Sequence, residues 1–147
     1  MSRTIAVISD THGKTPEGLL KRIARADEIW HLGDVTRPEI LIPIQNLGRP
    51  LSVVKGNCDP FGVWPETRDL EREGFTFRLQ HHPPAVPLPN RTAILFGHLH
   101  YPIDEVDRGM RILNPGAVNG PRNGSQSSFA WLRFPESGSW TWEVETF

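Results

Sequence analysis

Cysteine is almost missing: Cys58 stands alone, so no disulfide can close within the chain. Stability has to come from a packed core, and 147 residues are enough to bury one without cross-links or a structural metal. Long apolar runs are lacking too. No stretch of ~18 apolar residues offers a membrane span, and no charged-then-apolar leader opens the chain. With the lone thiol, this gives the expectation of a cytoplasmic protein with no membrane partner. Neither charge is in excess, since 16 Lys and Arg stand against 17 Asp and Glu. A broad basic field that would draw nucleic acid is therefore absent. Repeats, low-complexity tails and linkers are also absent, so residues 1–147 read as one domain.

What the chain does have is 14 prolines and 13 glycines, which imply many turns and short elements, with five tryptophans and six histidines among them. The apolar run Ile5–Ile8 reads as a strand buried on both faces, and Asp10 and His12 follow at once. If the backbone is still extended there, both side chains point to one side. Thr15 as N-cap and Pro16 at the first position open a helix. Leu19, Leu20, Ile23 and Ala26 give it an apolar face over about three turns. Ile29–Leu32 is a second strand, ending in Gly33-Asp34. Thr36 and Glu39 form a capping-box pattern for another helix, which Pro43 should kink or divide and Gly48 should stop. Leu51–Val54 is a third strand, followed by Gly56-Asn57-Cys58-Asp59. Strands alternating with helices give a parallel sheet, whose ligand site lies outside the carboxyl ends of the strands.

The second half is richer in strands. Pro60–Glu73 reads as a surface loop with a short strand near Asp69–Glu71. Phe75–Leu79 alternates as a strand and runs into His81-His82. Pro83, Pro84, Pro87 and Pro89 then forbid a helix and impose an extended loop. Ala93–Phe96 is a buried strand ending in Gly97-His98-Leu99-His100. Ile103–Val106 and Met110–Leu113 form a hairpin around Asp107-Arg108-Gly109, and Asn114-Pro115-Gly116 is a turn. Phe129–Phe134 and Trp140–Val144 make a last hairpin.

Taken singly, these polar groups are bland. Asp34 reads as a helix-initiating carboxylate, Asn57 as a left-handed turn residue, and the histidines as satisfied groups at strand ends. Their placement is not bland, because strand after strand of one expected sheet stops at a metal-type donor while the strand interiors carry none. Mixed Asp, Asn and His donors suit manganese first, with iron, zinc or nickel as alternatives, rather than copper(I) or calcium. There are too many donors for one ion, and Asp34 can bridge two with its two oxygens. Two divalent ions ~3.5–4 Å apart activate a bridging water and clamp a phosphoryl oxygen.

Read in order, Asp10-x-His12, Gly33-Asp34, Gly56-Asn57-Cys58-Asp59, Gly97-His98-Leu99-His100 and Asn114-Pro115-Gly116 resemble the signature of calcineurin-like metallophosphoesterases. The nearest branch is that of the small prokaryotic phosphodiesterases. The resemblance implies an α/β fold, a two-sheet sandwich flanked by helices. It also implies one ion held by Asp10, His12, Asp34 and His100, and another by Asp34, Asn57, His81 and His98. A bridging hydroxide would attack phosphorus in line, with Asn57, Asp34 and His98 as the catalytic set, on a small phosphoester substrate. Arg122 is a candidate phosphate contact or a solvated loop arginine. His82 replaces a family glycine, so His81 rather than His82 takes the ligand place. Cys58 stands where the wider superfamily has an acid-donating histidine, and reads as a small buried packing residue.

One family helix is replaced by the Pro-rich loop. Its Pro84, Val86 and Leu88 are expected to lie flat over the sheet edge beside a wide metal cleft, or a homodimer contact covers that flank instead. The competing expectation is a protein-binding scaffold like the retromer subunit of this fold. Trp64 and Trp140, which look exposed in sequence, keep that alternative in play.

Overall fold

The structure is a computed structural model and describes residues 2–85, 88 and 90–147. Its central strand, β1 (Arg3–Ile8), is fully buried from Ile5 to Ile8. Because side chains alternate along a strand, Ile5 and Val7 enter one core and Ala6 and Ile8 enter another. The first core lies between two sheets, and the second lies under the helices. Beside β1 run β2 (Glu28–His31) and β3 (Leu51–Val53), parallel to it. On its other side β9 (Ser128–Phe134) and β10 (Thr141–Thr146) pair antiparallel, giving the order β10-β9-β1-β2-β3.

The second sheet is built from β4 (Thr67–Arg72), β5 (Phe75–Gln80), β6 (Ala93–Leu95), β7 (Pro102–Asp107) and β8 (Met110–Pro115). Its order is β4-β5-β6-β8-β7, with β5, β6 and β8 parallel. Phe77, Leu79, Ala93, Leu95 and Leu113 from this sheet meet Ile5, Val7, Trp30, Leu132 and Phe134 from the first. The expected sandwich is thus present, but the strand ends that carry candidate donors come from both sheets and not from one.

The helices flank only the first sheet. α1 (Glu17–Ile23) buries Leu19 and Ile23, and the divided segment buries Leu41 and Ile44 in the same core. α1 has seven residues, shorter than three turns. Its N-cap is Pro16, and the Thr15 hydroxyl instead donates to the Ile40 carbonyl at 2.9 Å. The Thr36–Glu39 capping box does not form. Thr36 adopts a positive φ of 83°, and a 3₁₀ turn starts at Pro38 behind an Arg37 N-cap. Pro43 does divide the segment, since the 3₁₀ turn Pro38–Leu41 gives way to α2 (Ile42–Gln45) with proline at its start.

In place of a loop with a short strand, β4 has six residues and pairs along its whole length with β5. The two-residue turn Glu73-Gly74, with φ of 53° and 83°, closes that hairpin. Trp64 and Trp140 are half-buried rather than exposed; each packs on a core cluster, Trp140 edge-on to Phe77 with ring centroids 5.5 Å apart. The outer face of the second sheet carries Ile94, Phe96, Met110 and Ile112, and Leu88 and Leu99 pack on it from loops. Leu88 therefore does what the Pro-rich loop was expected to do, and Pro84 is half-buried; Val86 lies outside the described residues, as do Pro87 and Pro89. No helix among the described residues is long and apolar enough to cross a membrane.

Candidate metal centre

β1, β2 and β3 of one sheet and β5 and β6 of the other release the chain at one edge of the sandwich. Asp10, Asp34, His81 and His100 are buried there, while His12 and His98 are partly exposed. Asp10 and His12 do converge, yet not through an extended backbone. Their φ values are 58° and 45°, and Asp34, His98 and His100 also sit at positive φ, of 62°, 70° and 65°. Left-handed backbone at non-glycine residues costs energy and clusters at functional sites. Backbone bonds hold it here, from Asp10 N–H to Gly33 O at 3.0 Å and from His12 N–H to Asp34 O at 3.0 Å. Asn57, expected in the left-handed region, is not among the positive-φ residues.

Two groups of donors result, each able to surround one point. Asp10, His12, Asp34 and His100 form one, and Asp34, His81 and His98 form the other; within each group the donor atoms lie within 4.8 Å of one another. Asp34 belongs to both. Its Oδ1 accepts the Cys58 N–H at 2.9 Å, so a single oxygen, Oδ2, faces the histidines, 3.5 Å from His12 Nε2 and 3.2 Å from His81 Nε2. The expected two-oxygen bridge thus becomes a one-oxygen arrangement. Asp10 shows the same division of labour. Oδ2 accepts from Ser9 Oγ at 2.7 Å and from the His98 N–H at 3.2 Å. Oδ1 has no hydrogen-bond partner although it is buried, and neither has His81 Nε2.

Ring tautomers point the same way. His81 Nδ1 lies 2.8 Å from the Leu32 carbonyl and His100 Nδ1 2.8 Å from the Gly120 carbonyl. A carbonyl only accepts, so Nδ1 carries the proton in both rings and Nε2 turns its lone pair inward. His98 Nδ1 lies 3.2 Å from Asn57 Oδ1, which brings Asn57 to the second group from its exposed position. The register favours His81 over His82, since His81 is 1% exposed and His82 lies on the rim with its ring 4.5 Å from that of His98.

The charge balance is tight. Burial would raise the Asp10 carboxyl, but His12 and Ser9 outweigh it and hold it below its ordinary value. Burial likewise raises the Asp34 carboxyl, but His81 and the Cys58 amide outweigh it and hold it well below the usual carboxylate range. Asp10 lifts His12 above its usual range. His81 loses by burial and gains more from Asp34 and Asp10, and so ends above the ordinary value. Buried carboxylates with no Lys or Arg paired to them among the described residues, facing histidine nitrogens whose lone pairs turn inward, fit divalent cations.

Arg122 reaches the site by its backbone, donating its N–H to the His100 carbonyl at 2.8 Å; its side chain is exposed. Cys58 is exposed and not a packing residue, and burial together with Asp34 pushes its thiol pKa up.

Residues that sequence reasoning left without a part hold the centre in shape. Asp59 accepts three backbone N–H groups, from Asp34 at 2.8 Å, Gly56 at 2.8 Å and Thr36 at 2.7 Å. The spacing Gly56-x-x-Asp59 carried that signal, being the reach of a side chain back to an amide three residues earlier. His31 is fully buried at the end of β2. Its Nδ1 accepts the Gly33 N–H at 3.1 Å, so its Nε2 donates to the Thr11 hydroxyl at 3.0 Å. Burial pushes its pKa down to about 4, which keeps it neutral in this role. No pattern in the chain marked it. Gly33 has a φ of 103°, and a Cβ there would stand 2.8 Å from both the Gly56 nitrogen and His81 Nδ1.

Comparison with known proteins agrees with this geometry. A family model, the calcineurin-like phosphoesterase superfamily domain, matches residues 4–137. The chain is 32% identical over 136 residues to a probable metallophosphoesterase of Methanothermobacter thermautotrophicus, spanning 80% of this chain and 78% of that protein. It is 27% identical over 154 residues to phosphodiesterase YfcE of Escherichia coli K12, with 84% of each chain covered. The solved structure of E. coli YfcE, described as a phosphoesterase, matches with a TM-score of 0.77 at 23% identity over 88% of this chain and 87% of that one. Vps29 of Entamoeba histolytica, solved with zinc, matches at 0.73 and 23% identity over 97% and 98%. At such identities the solved structures speak for the fold alone. The family match over most of the chain and the archaeal relative carry more: the chain belongs to the calcineurin-like phosphoesterase superfamily.

Proposed function

We propose that this protein is a metal-dependent phosphodiesterase with a dinuclear centre. The observation that carries the reading is Asp34 Oδ2, which faces His12 and His81 from the two donor groups at 3.5 and 3.2 Å. Asp10, His12, Asp34 and His100 would hold one ion, and Asp34, Asn57, His81 and His98 the other. Manganese is the first choice for this donor set, with iron, zinc and nickel as alternatives. When bound, ions held by these residues would supply Lewis acidity toward a water and toward the phosphoryl oxygens.

The chain's own part is to orient and to stabilise. Leu32 and Gly120 carbonyls fix the His81 and His100 rings, and Ser9 and the His98 amide fix Asp10. Asn57, exposed at the mouth, would donate its amide to a phosphoryl oxygen as charge develops. The Arg122 guanidinium, on the exposed loop behind His100, is a second candidate contact to the phosphate.

Diesters are the proposed substrates. The residue after Asn57 is a thiol where an imidazole would protonate a poor leaving group, and a thiol with a raised pKa does this badly. The test is hydrolysis of bis(p-nitrophenyl) phosphate and p-nitrophenyl phosphate by chelator-stripped protein, with Mn²⁺, Fe²⁺, Zn²⁺ or Ni²⁺ restored. The expected result is metal-dependent cleavage that favours the diester. Failure of every ion to support turnover would instead favour the scaffold reading.

A further inference from the structure

A cleft of about 200 Å³ adjoins the centre on the side of β3 and β5. It is lined by Lys55, Asn57, Glu66, Thr67, Gln80 and His82, with Gly56 and His81 completing the wall. Asn57 and His81 belong to this wall and also to the second donor group, so a substituent on a phosphorus held at the centre points into the cleft. We infer that the cleft is the subsite for a hydroxyl-rich substituent of the phosphodiester, a glycerol or sugar group. This rests on the phosphodiesterase reading above.

The wall chemistry makes the choice. Apart from Gly56, every lining residue carries a polar group, so an alkyl or aryl substituent would cover Lys55, Glu66, Thr67 and Gln80 without giving them partners. Lys55 and Glu66 bring one positive and one negative charge, so a second anionic group would be attracted by one and repelled by the other. What the wall does offer is donors and acceptors side by side. The Lys55 ammonium has three N–H donors and gives one to the Gly56 carbonyl at 3.2 Å. Gln80 donates its amide to the His82 carbonyl at 2.7 Å, which sets the side chain and leaves its Oε1 as an acceptor. Thr67 lies directly across from Gln80 in the β4–β5 register, and its hydroxyl both donates and accepts. Glu66 only accepts. Each hydroxyl both donates and accepts, and vicinal hydroxyls present several such groups within a few ångströms, so they satisfy both halves of this wall. The volume fits one group of sugar size and no extended ligand.

Competitive inhibition tests this on the intact, metal-loaded protein, with bis(p-nitrophenyl) phosphate as the reporter. Three diester anions are compared: dimethyl phosphate, methyl glyceryl phosphate and methyl glucose-6-phosphate diester. The polyol esters should bind about tenfold more tightly than dimethyl phosphate, the effect of a net gain of one or two hydrogen bonds. Whichever polyol ester binds better identifies the glycerol or the sugar as source. In Gln80→Leu and Glu66→Ala the advantage should collapse, while the dimethyl phosphate constant and the bound-metal content hold. Equal constants for the three anions, or an advantage that survives both substitutions, would overturn the subsite and leave the phosphodiesterase standing. If no ion supports reporter turnover, the phosphodiesterase reading fails and the subsite fails with it.

Discussion

Asp59 binds three backbone amides and no candidate donor side chain, so its effect on the centre runs through Asp34, Gly56 and Thr36. Asp59→Asn replaces one accepting oxygen by a donor that faces an N–H. We expect metal affinity to fall about 10–100-fold, as for other residues that orient ligands. Stability should fall by about 1–3 kcal/mol for the unsatisfied amide. Titration with Mn²⁺ and denaturant unfolding check the two parts. At His81 and His82 the contrast is in position. His81 is buried against Asp34 and His82 lies on the rim, so His81→Ala should lose far more metal than His82→Ala, read by metal analysis. The opposite ranking would mean that the strand enters the site one residue out of register. Asp10, His12, Asp34, His98 and His100 were legible in the sequence because each follows an apolar run directly. Asp59 was legible only as the Gly56-x-x-Asp59 spacing, and its bonds to the Asp34 and Thr36 amides, like the part of His31, depend on turns that no local pattern specifies.

Among the elements, the strands were easier to read than their ends. β1, β5, β6 and the β7–β8 hairpin lie where apolar runs and Asp107-Arg108-Gly109 put them. The helix caps did not, because the Thr15 hydroxyl bonds the Ile40 carbonyl and the Thr36 amide bonds Asp59 instead. β4 was read only near Asp69–Glu71, because the flanking Thr67, Arg68 and Arg72 look like loop until β5 pairs with them. That strand also carries Arg72, which clamps Glu28 of β2 at 2.9 and 2.7 Å and so ties the two sheets at the end away from the centre. Glu28 is 6% exposed and accepts the Trp30 indole N–H at 2.8 Å as well. Arg72→Ala should cost about 1.5–3 kcal/mol, the range for hydrogen bonds to a buried charge, measured by denaturant unfolding. Burial raises the Glu28 carboxyl, but Arg72 and Trp30 outweigh it, so its folded pKa lies below the ordinary 4.5. The unfolded chain then binds the proton more readily. This contribution is complete above about pH 4.5 and is lost as pH falls through the folded value. In Arg72→Ala the acid limb of the stability curve should flatten over that window. A mutant curve parallel to that of the wild type would remove Glu28 from the acid response.

For the molecule as a whole, the sandwich and its site edge were legible in the order of motifs, whereas the split of donors between two sheets was not. Parallel strands of either sheet give the same local pattern, and only the long-range pairing of β6 with β5 and β8 separates them. Among the described residues, the outer face of the second sheet has no helix and relies on residues such as Leu88 and Leu99 for cover. Leu88→Asp should expose Ile94, Phe96 and Ile112 and shift the protein toward aggregation or self-association, visible by light scattering. Divalent ions, by contrast, should stabilise the fold. At a hundred times the dissociation constant a bound ion adds about 2.7 kcal/mol, so the midpoint of thermal unfolding should rise with Mn²⁺ and return with chelator. The most direct test of the dinuclear centre is the anomalous-difference map of a Mn²⁺-loaded crystal. The account predicts two peaks about 3.5–4 Å apart, with Asp34 Oδ2 between them, Asp10, His12 and His100 around one, and Asn57, His81 and His98 around the other. A single peak, or two peaks that do not share Asp34, would contradict it.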